Sequence, residues 1–134
     1  MIKIIYGIFI VLHGLVHMFY FAHSLRLFEL RPGLTWPDGS WAFARLAGDE
    51  TTRILAAIFC ALAAVVFVIG GIGVLAGADW WRPLITGAAV VSIMVTILFW
   101  DGKMQHLDDK GFIGLLINLA ILAALFIWHW PHFH

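Results

Sequence analysis

The sequence predicts an all-α membrane protein that folds as a four-transmembrane-helix bundle. Of its 134 residues, 63% are hydrophobic and only 12% are charged, whereas a soluble globular domain averages about 45–50% apolar and about 25% charged residues. A chain of this size exposes too much surface for so few polar residues to cover. Four apolar stretches also have roughly the length, about 20 residues, that crosses a bilayer as a helix. We therefore expect lipid to surround most of the protein.

The four predicted spans lie at residues 2–23, 52–78, 83–100 and 111–130. None of them alternates polar and apolar residues with the period of a strand, and a membrane barrel needs about eight strands or more. The apolar run from Ile4 to Ala22 is longer than that of a secretory signal, and no small-residue cleavage motif follows it. We interpret it as a retained span, so that residues 1–134 form a single membrane domain.

Residues at the ends of these stretches are typical of membrane helices. Asp49 is a candidate cap of the second helix, and Pro83 lies near the start of the third, where proline is tolerated. Trp80, Trp81 and Trp128 are placed where aromatic side chains contact lipid headgroups. These signals support the four predicted spans.

The longest loop, residues 24–49, mixes apolar and charged residues. A turn is predicted at Pro37-Asp38-Gly39, after which Ser40 can cap a short amphipathic helix containing Trp41. We expect this segment between the first and second helices to lie on the membrane surface with its apolar side down.

Charge and cysteine content exclude several classes of function. Eight basic residues balance eight acidic ones, so no basic stripe favours nucleic acid as a partner. The single cysteine, Cys60, excludes an internal disulfide and any paired-cysteine motif. Phosphate-binding loops and hydrolase motifs are absent from the sequence. The sequence indicates no candidate nucleophile, and it leaves open whether the protein is an enzyme.

Polar residues within the predicted spans form the candidate site. In the first helix, His13, His17 and Tyr20 share one face because they are spaced by four and three residues. At 1.5 Å of rise per residue, the polar groups of all four helices lie about 6 to 15 Å below the first-loop side of the bilayer. The other three helices contribute Cys60, Ser92, Thr96 and Asn118. The sequence thus predicts one polar layer to which all four helices contribute side chains.

Three interpretations of this layer remain open. It can be structural, since interhelical hydrogen bonds in lipid fix register at about 0.6 kcal/mol each. It can line a ligand-binding site for a polar ligand, a proton, a metal or haem. The histidines at i and i+4 are possible metal ligands, while a haem held by two histidines needs the second one from another helix. It can also face a partner subunit.

Two other groups of residues are candidate cation sites. Charged and histidine residues crowd the third loop at residues 101–110, and three histidines lie within residues 129–134. We interpret the first group as a solvated turn and the second as a tail that binds transition metals without a physiological role.

Four short segments carry a resemblance to known proteins. They are HGLVHM at residues 13–18, WWRP at 80–83, SIMVTILFW at 92–100 and GLLINLAIL at 114–122. Together they resemble a loose set of small prokaryotic four-helix integral membrane proteins of uncharacterised activity, some of which carry the label permease. The overall shape is also similar to that of DoxX-like proteins. The resemblance implies a four-helix fold and no particular activity.

Two functions are predicted from these observations. The first is an accessory or assembly subunit of a larger membrane complex, in the plasma or inner membrane of the cell. The alternative is a ligand-, metal- or haem-binding membrane protein with its site at His13, His17 and Asn118. The expected partners are the lipid bilayer and either other membrane subunits or further copies of the chain.

Overall fold

The described part of the chain folds into four helices. The computed structural model describes residues 1–28, 36–102, 104 and 112–129, and no strand occurs among them. The helices are α1 (Ile2–Ser24), α2 (Ala44–Ala76), α3 (Trp81–Leu98) and α4 (Phe112–Phe126). The first three are long and apolar enough to cross a membrane, while α4 is shorter, with 15 residues. The predicted all-α, four-helix architecture is confirmed.

The helix bounds differ from the predicted spans mainly at α2. This helix begins at Ala44, ahead of the predicted start at residue 52, and is kinked at Gly48, whose φ of 78° is accessible mainly to glycine. The short helix expected in the first loop is present only in part, because residues 44–47 are helical whereas Trp41 lies in the turn before them. Asp49, the expected cap, instead accepts a hydrogen bond from the backbone N–H of Gly39 at 3.0 Å. At the other end of the chain, α4 ends at Phe126, before the predicted end at residue 130, and residues 127–129 are not helical. Residues 111 and 130 lie outside the described part of the chain.

Helices that are adjacent in sequence pack against each other, in the order α1–α2, α2–α3 and α3–α4. The closest approach is between α1 and α2. A Cβ atom built on Gly14 would lie 2.7 Å from Cβ of Phe67 and 3.2 Å from the carbonyl oxygen of Ala64. A side chain at Gly14 would overlap α2, so this glycine permits the close α1–α2 contact. Gly7 and Gly71 do the same nearer the N-terminal end of α1, where a Cβ on Gly71 would lie 3.0 Å from the carbonyl oxygen of Gly7.

The surface of the bundle is as apolar as its interior. Buried apolar side chains such as Phe67, Ile10 and Phe99 form the core. On the outside, large aliphatic side chains are also exposed, among them Ile5 at 60% and Leu116 at 66%. Such a surface is stable in lipid and would associate in water. The structure therefore supports a membrane protein.

The segment before α2 covers one end of the bundle. The guanidinium of Arg53 donates two hydrogen bonds to the carboxylate of Asp38, at 2.6 and 2.5 Å, and Arg26 adds an ion pair at 3.2 Å. The indole N–H of Trp41 donates to the carbonyl of Ile97 at 2.6 Å. These contacts fix the segment to α1, α2 and α3 at once.

Candidate functional site

A chain of hydrogen bonds links three helices inside the bundle. Nε2 of His13 in α1 lies 2.8 Å from Oδ1 of Asn118 in α4. The amide nitrogen of Asn118 donates to Oγ of Ser92 in α3 at 2.8 Å, and that hydroxyl lies 2.6 Å from Nε2 of His17. Asn118 is fully buried and the other three are at most 9% exposed. Polar side chains from α1, α3 and α4 therefore meet at one level.

The partners of this chain fix the direction of each hydrogen bond. Nδ1 of His17 lies 3.0 Å from the backbone carbonyl of His13, which can only accept, so this nitrogen carries the proton. Nε2 of His17 then accepts the hydroxyl proton of Ser92. His13 donates from Nε2 to the carbonyl oxygen of Asn118. Each of these hydrogen bonds thus has one donor and one acceptor, and the two histidines are opposite neutral tautomers.

One ring nitrogen of the two histidines makes no hydrogen bond to the described residues. Nδ1 of His13 makes no hydrogen bond to another described residue, and in this tautomer it carries a lone pair. The ring is held from two sides, by Phe9 in a parallel stack with centroids 6.0 Å apart and by Phe67 edge-on at 4.9 Å. His13 therefore has a fixed ring and a spare acceptor.

The hydrogen-bonded chain forms part of the wall of a cavity of about 310 Å³. All four helices and the segment before α2 contribute to the wall, which combines polar groups with apolar ones. The lining residues are His13, Val16, His17, Tyr20, Trp36, Cys60, Ser92, Val95, Thr96, Ile113, Gly114 and Ile117. The volume is large enough for several waters or for a small organic molecule.

The structure brings all seven residues of the predicted site to this region. Six of them line the cavity, and Asn118 lies behind the wall and joins it through His13 and Ser92. Thr96 makes no interhelical bond, because its hydroxyl donates to the carbonyl of Ser92 in the same helix at 3.1 Å. Tyr20 packs its ring edge-on against Trp36 at 5.3 Å.

Trp36 is the main feature of the cavity that the sequence did not indicate. It is only 4% exposed and lines the cavity, and its indole N–H has no hydrogen-bond partner among the described residues. An unpaired buried donor costs about 1–3 kcal/mol. The sequence does not indicate that Trp36 lines a cavity, because it lies in a loop just before the Pro37 turn, where a tryptophan most often contacts the membrane interface.

A metal at His13 and His17 stays a prediction. Both Nε2 atoms are engaged in hydrogen bonds to other side chains, so a metal bound at them would have to replace these bonds. Among the described residues, no group of three histidine, cysteine or acidic side chains is arranged to hold a metal ion. The pair would need ligands from outside this set.

The other two candidate cation sites lie largely outside the described part of the chain. Residues 103, 105–111 and 130–134 are not among the described residues. The third-loop cluster and the C-terminal histidines therefore stay predictions.

Comparisons with known proteins return no relatives. No family profile matches the chain, and neither the curated proteins nor the solved structures contain a match. The resemblance to small prokaryotic four-helix membrane proteins therefore stays a prediction, and functional inference depends on the site itself.

Proposed function

We propose that this membrane protein binds a small, neutral, hydrogen-bonding ligand in the cavity beside His13 and Asn118. The observation that carries the proposal is the cavity itself, whose wall includes Trp36 and His13. The indole N–H of Trp36 and Nδ1 of His13 have no hydrogen-bond partner among the described residues. If the polar layer served only to fix helix register, its groups would be satisfied by one another and the space between them would be filled.

The chemistry of the wall supports a neutral ligand. None of the described lining residues is aspartate, glutamate, lysine or arginine. A charged group moved into a site of low dielectric without a counter-ion is strongly disfavoured. A hydroxyl, amide or similar head that both accepts and donates hydrogen bonds matches the donor of Trp36 and the acceptor of His13.

Binding of a small alcohol tests the proposal. The full-length chain in bilayer nanodiscs is titrated with a fluorinated benzyl alcohol, and fluorine NMR reports the bound fraction. Gly114 lines the cavity and a Cβ there would meet nothing within 4 Å, so Gly114→Leu is the substitution chosen to reduce the cavity volume. We expect this variant to lose saturable binding.

The matched control is Gly87→Leu. Gly87 is also a helical glycine with open space around its Cβ direction, but it does not line the cavity. This variant should bind the alcohol as the wild type does. Equal binding in Gly114→Leu and wild type, or no saturable binding in wild type, would contradict the proposal.

A role as an accessory or assembly subunit of a larger membrane complex is the second candidate. It is favoured by a groove of about 220 Å³ between α2 and α3 on the outside of the bundle, whose floor contains Ala63, Gly87 and Ala88. Small residues let a further helix approach closely in lipid. We propose another membrane subunit as the occupant, and the plasma or inner membrane as the location of the complex.

The same two variants test this candidate, with Gly87→Leu now as the test variant and Gly114→Leu as the control. The tagged protein is purified from its native membrane in mild detergent, and its mass and the stoichiometry of co-purifying chains are measured. A stoichiometric partner that is lost in Gly87→Leu and kept in Gly114→Leu supports the accessory role. A monomer or homodimer without other chains argues against it.

A further inference from the structure

A second, apolar groove runs beside the polar cavity, between α1 and α4. It has a volume of about 520 Å³. Its lining residues come from the first part of α1 and from the middle and C-terminal part of α4, namely Ile2, Ile5, Tyr6, Phe9, Ile117, Ala120, Ile121 and Ala124. The two alanines of α4 form the recess, because their neighbours along the groove have larger side chains. From Ile2 to Phe9 the groove follows about 10 Å of helix axis.

The groove and the polar cavity are adjoining. Ile117 lines both of them, and Phe9 of the groove stacks on His13 of the cavity with nearly parallel rings. The α1 residues that line the cavity follow those of the groove in sequence, whereas the α4 residues precede them, as expected of antiparallel helices. Together they make one crevice with a polar end and an apolar end.

The exposed rim of this crevice is apolar. At the polar end, Val16 is 46% exposed and Ile113 is 56% exposed, one on each flanking helix. At the apolar end, Ile2 and Ile5 are exposed as well. In a membrane these side chains contact lipid, so the crevice is reached sideways from the bilayer.

We infer that the ligand is a neutral amphiphile, with its polar head in the cavity and its hydrocarbon chain in the α1–α4 groove. This inference depends on the proposed function, because it names the class of ligand for the same cavity. It is carried by the juxtaposition of a polar cavity that lacks charged lining residues with an apolar groove of matching direction.

The head, and not the chain, should provide most of the selectivity. A hydrocarbon chain gains little from leaving lipid for an apolar groove, since both surroundings are alike. A hydroxyl gains far more, because the lipid core offers it no hydrogen-bond partner. Trp36 and His13 supply a donor and an acceptor, so a long-chain alcohol should bind better than the matching alkane or fatty-acid anion.

Photolabelling with a long-chain alcohol tests the inference. The full-length protein in nanodiscs is labelled with a hexadecanol analogue that carries a diazirine in its chain, and the labelled peptides are identified by mass spectrometry. Label is expected on residues 2–9 and 117–124. Unlabelled hexadecanol should compete at concentrations at least about tenfold lower than hexadecane or palmitate.

Variants separate the two ends of the crevice. Ala120→Phe combined with Ala124→Phe fills the groove and should lower labelling by about tenfold or more, while leaving benzyl alcohol binding in the cavity unchanged. Leu119→Phe, on an exposed position that does not line the groove, is the control and should label as the wild type does.

The outcomes distinguish failure of the inference from failure of the proposed function. If benzyl alcohol binds but labelling is unaffected by the groove variants, the cavity binds small molecules and the amphiphile inference is wrong. If hexadecane and palmitate compete as well as hexadecanol, the label reports ordinary lipid contact and the inference is again wrong. If neither alcohol shows binding that Gly114→Leu removes, both fail.

Discussion

Nε2 of His13 lies 2.8 Å from Oδ1 of Asn118, and this hydrogen bond joins the first helix of the chain to the last. The extensive helix contacts are otherwise between sequence neighbours. Asn118 also donates to Ser92 in α3. One buried amide therefore connects α4 to two other helices, beside the proposed ligand site.

Replacing Asn118 with leucine should destabilise the bundle. The change keeps side-chain size but removes two interhelical hydrogen bonds, each worth about 0.6 kcal/mol and at most about 1.7 kcal/mol in lipid. We expect a loss of about 1–3 kcal/mol in the free energy of unfolding, measured by steric trapping in bicelles. Leu116→Ala, at an exposed position, is the control. Equal stability of the two variants would contradict the structural role of Asn118.

Two glycine-to-alanine changes should have opposite effects. Gly14→Ala places a Cβ 2.7 Å from Phe67 and 3.2 Å from the backbone of Ala64, so α1 and α2 must separate, at a cost of about 1–3 kcal/mol. Gly87→Ala meets nothing within 4 Å and should be neutral or stabilising by up to about 1 kcal/mol. Unfolding in mixed micelles compares them. A Gly14→Ala variant as stable as Gly87→Ala would show that the helices do not meet at Gly14.

The two histidines of the site should show different tautomers by NMR. The hydrogen bonds place the proton of His17 on Nδ1 and that of His13 on Nε2. Nitrogen-15 chemical shifts of the labelled protein in bilayers distinguish a protonated ring nitrogen from an unprotonated one. Ser92→Ala should shift the Nε2 signal of His17, which loses its donor, and leave its Nδ1 proton in place. Identical tautomers for both rings would rule out the proposed donor and acceptor roles in this series of hydrogen bonds.

Acid should weaken the segment that covers the bundle end. Burial raises the pKa of Asp38, but the hydrogen bond from Arg53 and the positive charges of Arg26 and Arg53 outweigh it and hold that pKa below its ordinary value. A carboxyl whose pKa is lower in the folded state stabilises that state above its unfolded pKa of about 3.9, and the contribution is lost as the pH falls through the folded pKa.

Stability measured from neutral pH down to about pH 3 should therefore fall at the acid end. Asp38→Asn should reduce that fall and lower the stability at neutral pH by up to about 1 kcal/mol, because the partners of Asp38 are about one-third exposed. Asp79→Asn, at an exposed position, is the control. If the acid-induced loss of stability persists in Asp38→Asn, that loss is caused by other titratable groups.

Trp36→Phe separates ligand binding from stability. The indole N–H of Trp36 has no partner among the described residues, so its removal leaves no other group unsatisfied and should change the free energy of unfolding by less than about 1 kcal/mol. Binding of the fluorinated benzyl alcohol should weaken about tenfold if the N–H contacts the ligand. A large loss of stability without a loss of binding would assign Trp36 a structural role.

Much of the candidate site follows from sequence because helices have a regular rise and period. The spacing of His13 and His17 places both on one face, and counting from the helix ends puts Ser92 and Asn118 near the same depth. The hydrogen bonds among these residues agree with that count. Sequence could not show which atoms pair, because rotation of each helix about its own axis depends on packing.

The contributions of Trp36 and Gly14 were not predicted. Trp36 reaches the cavity through a turn, and no periodic rule describes where a loop returns to a bundle. Gly14 lies in an apolar run, where a glycine has no polarity to single it out; its seven-residue spacing from Gly7, on a face next to that of His13, is the sequence signal for a close helix contact. Only the approach of α2 shows why a side chain there is excluded.

The sequence by itself determined that this protein is helical and suited to lipid, since hydrophobicity and the length of each apolar run depend on composition and local order alone. It also indicated that the polar residues lie at a common level along the bundle, because that follows from a fixed rise per residue. The tertiary structure decided that α1 and α4 adjoin along a crevice and that His13 and Trp36 line one cavity. Those facts depend on which helix faces meet, and that is set by close packing between segments far apart in the chain.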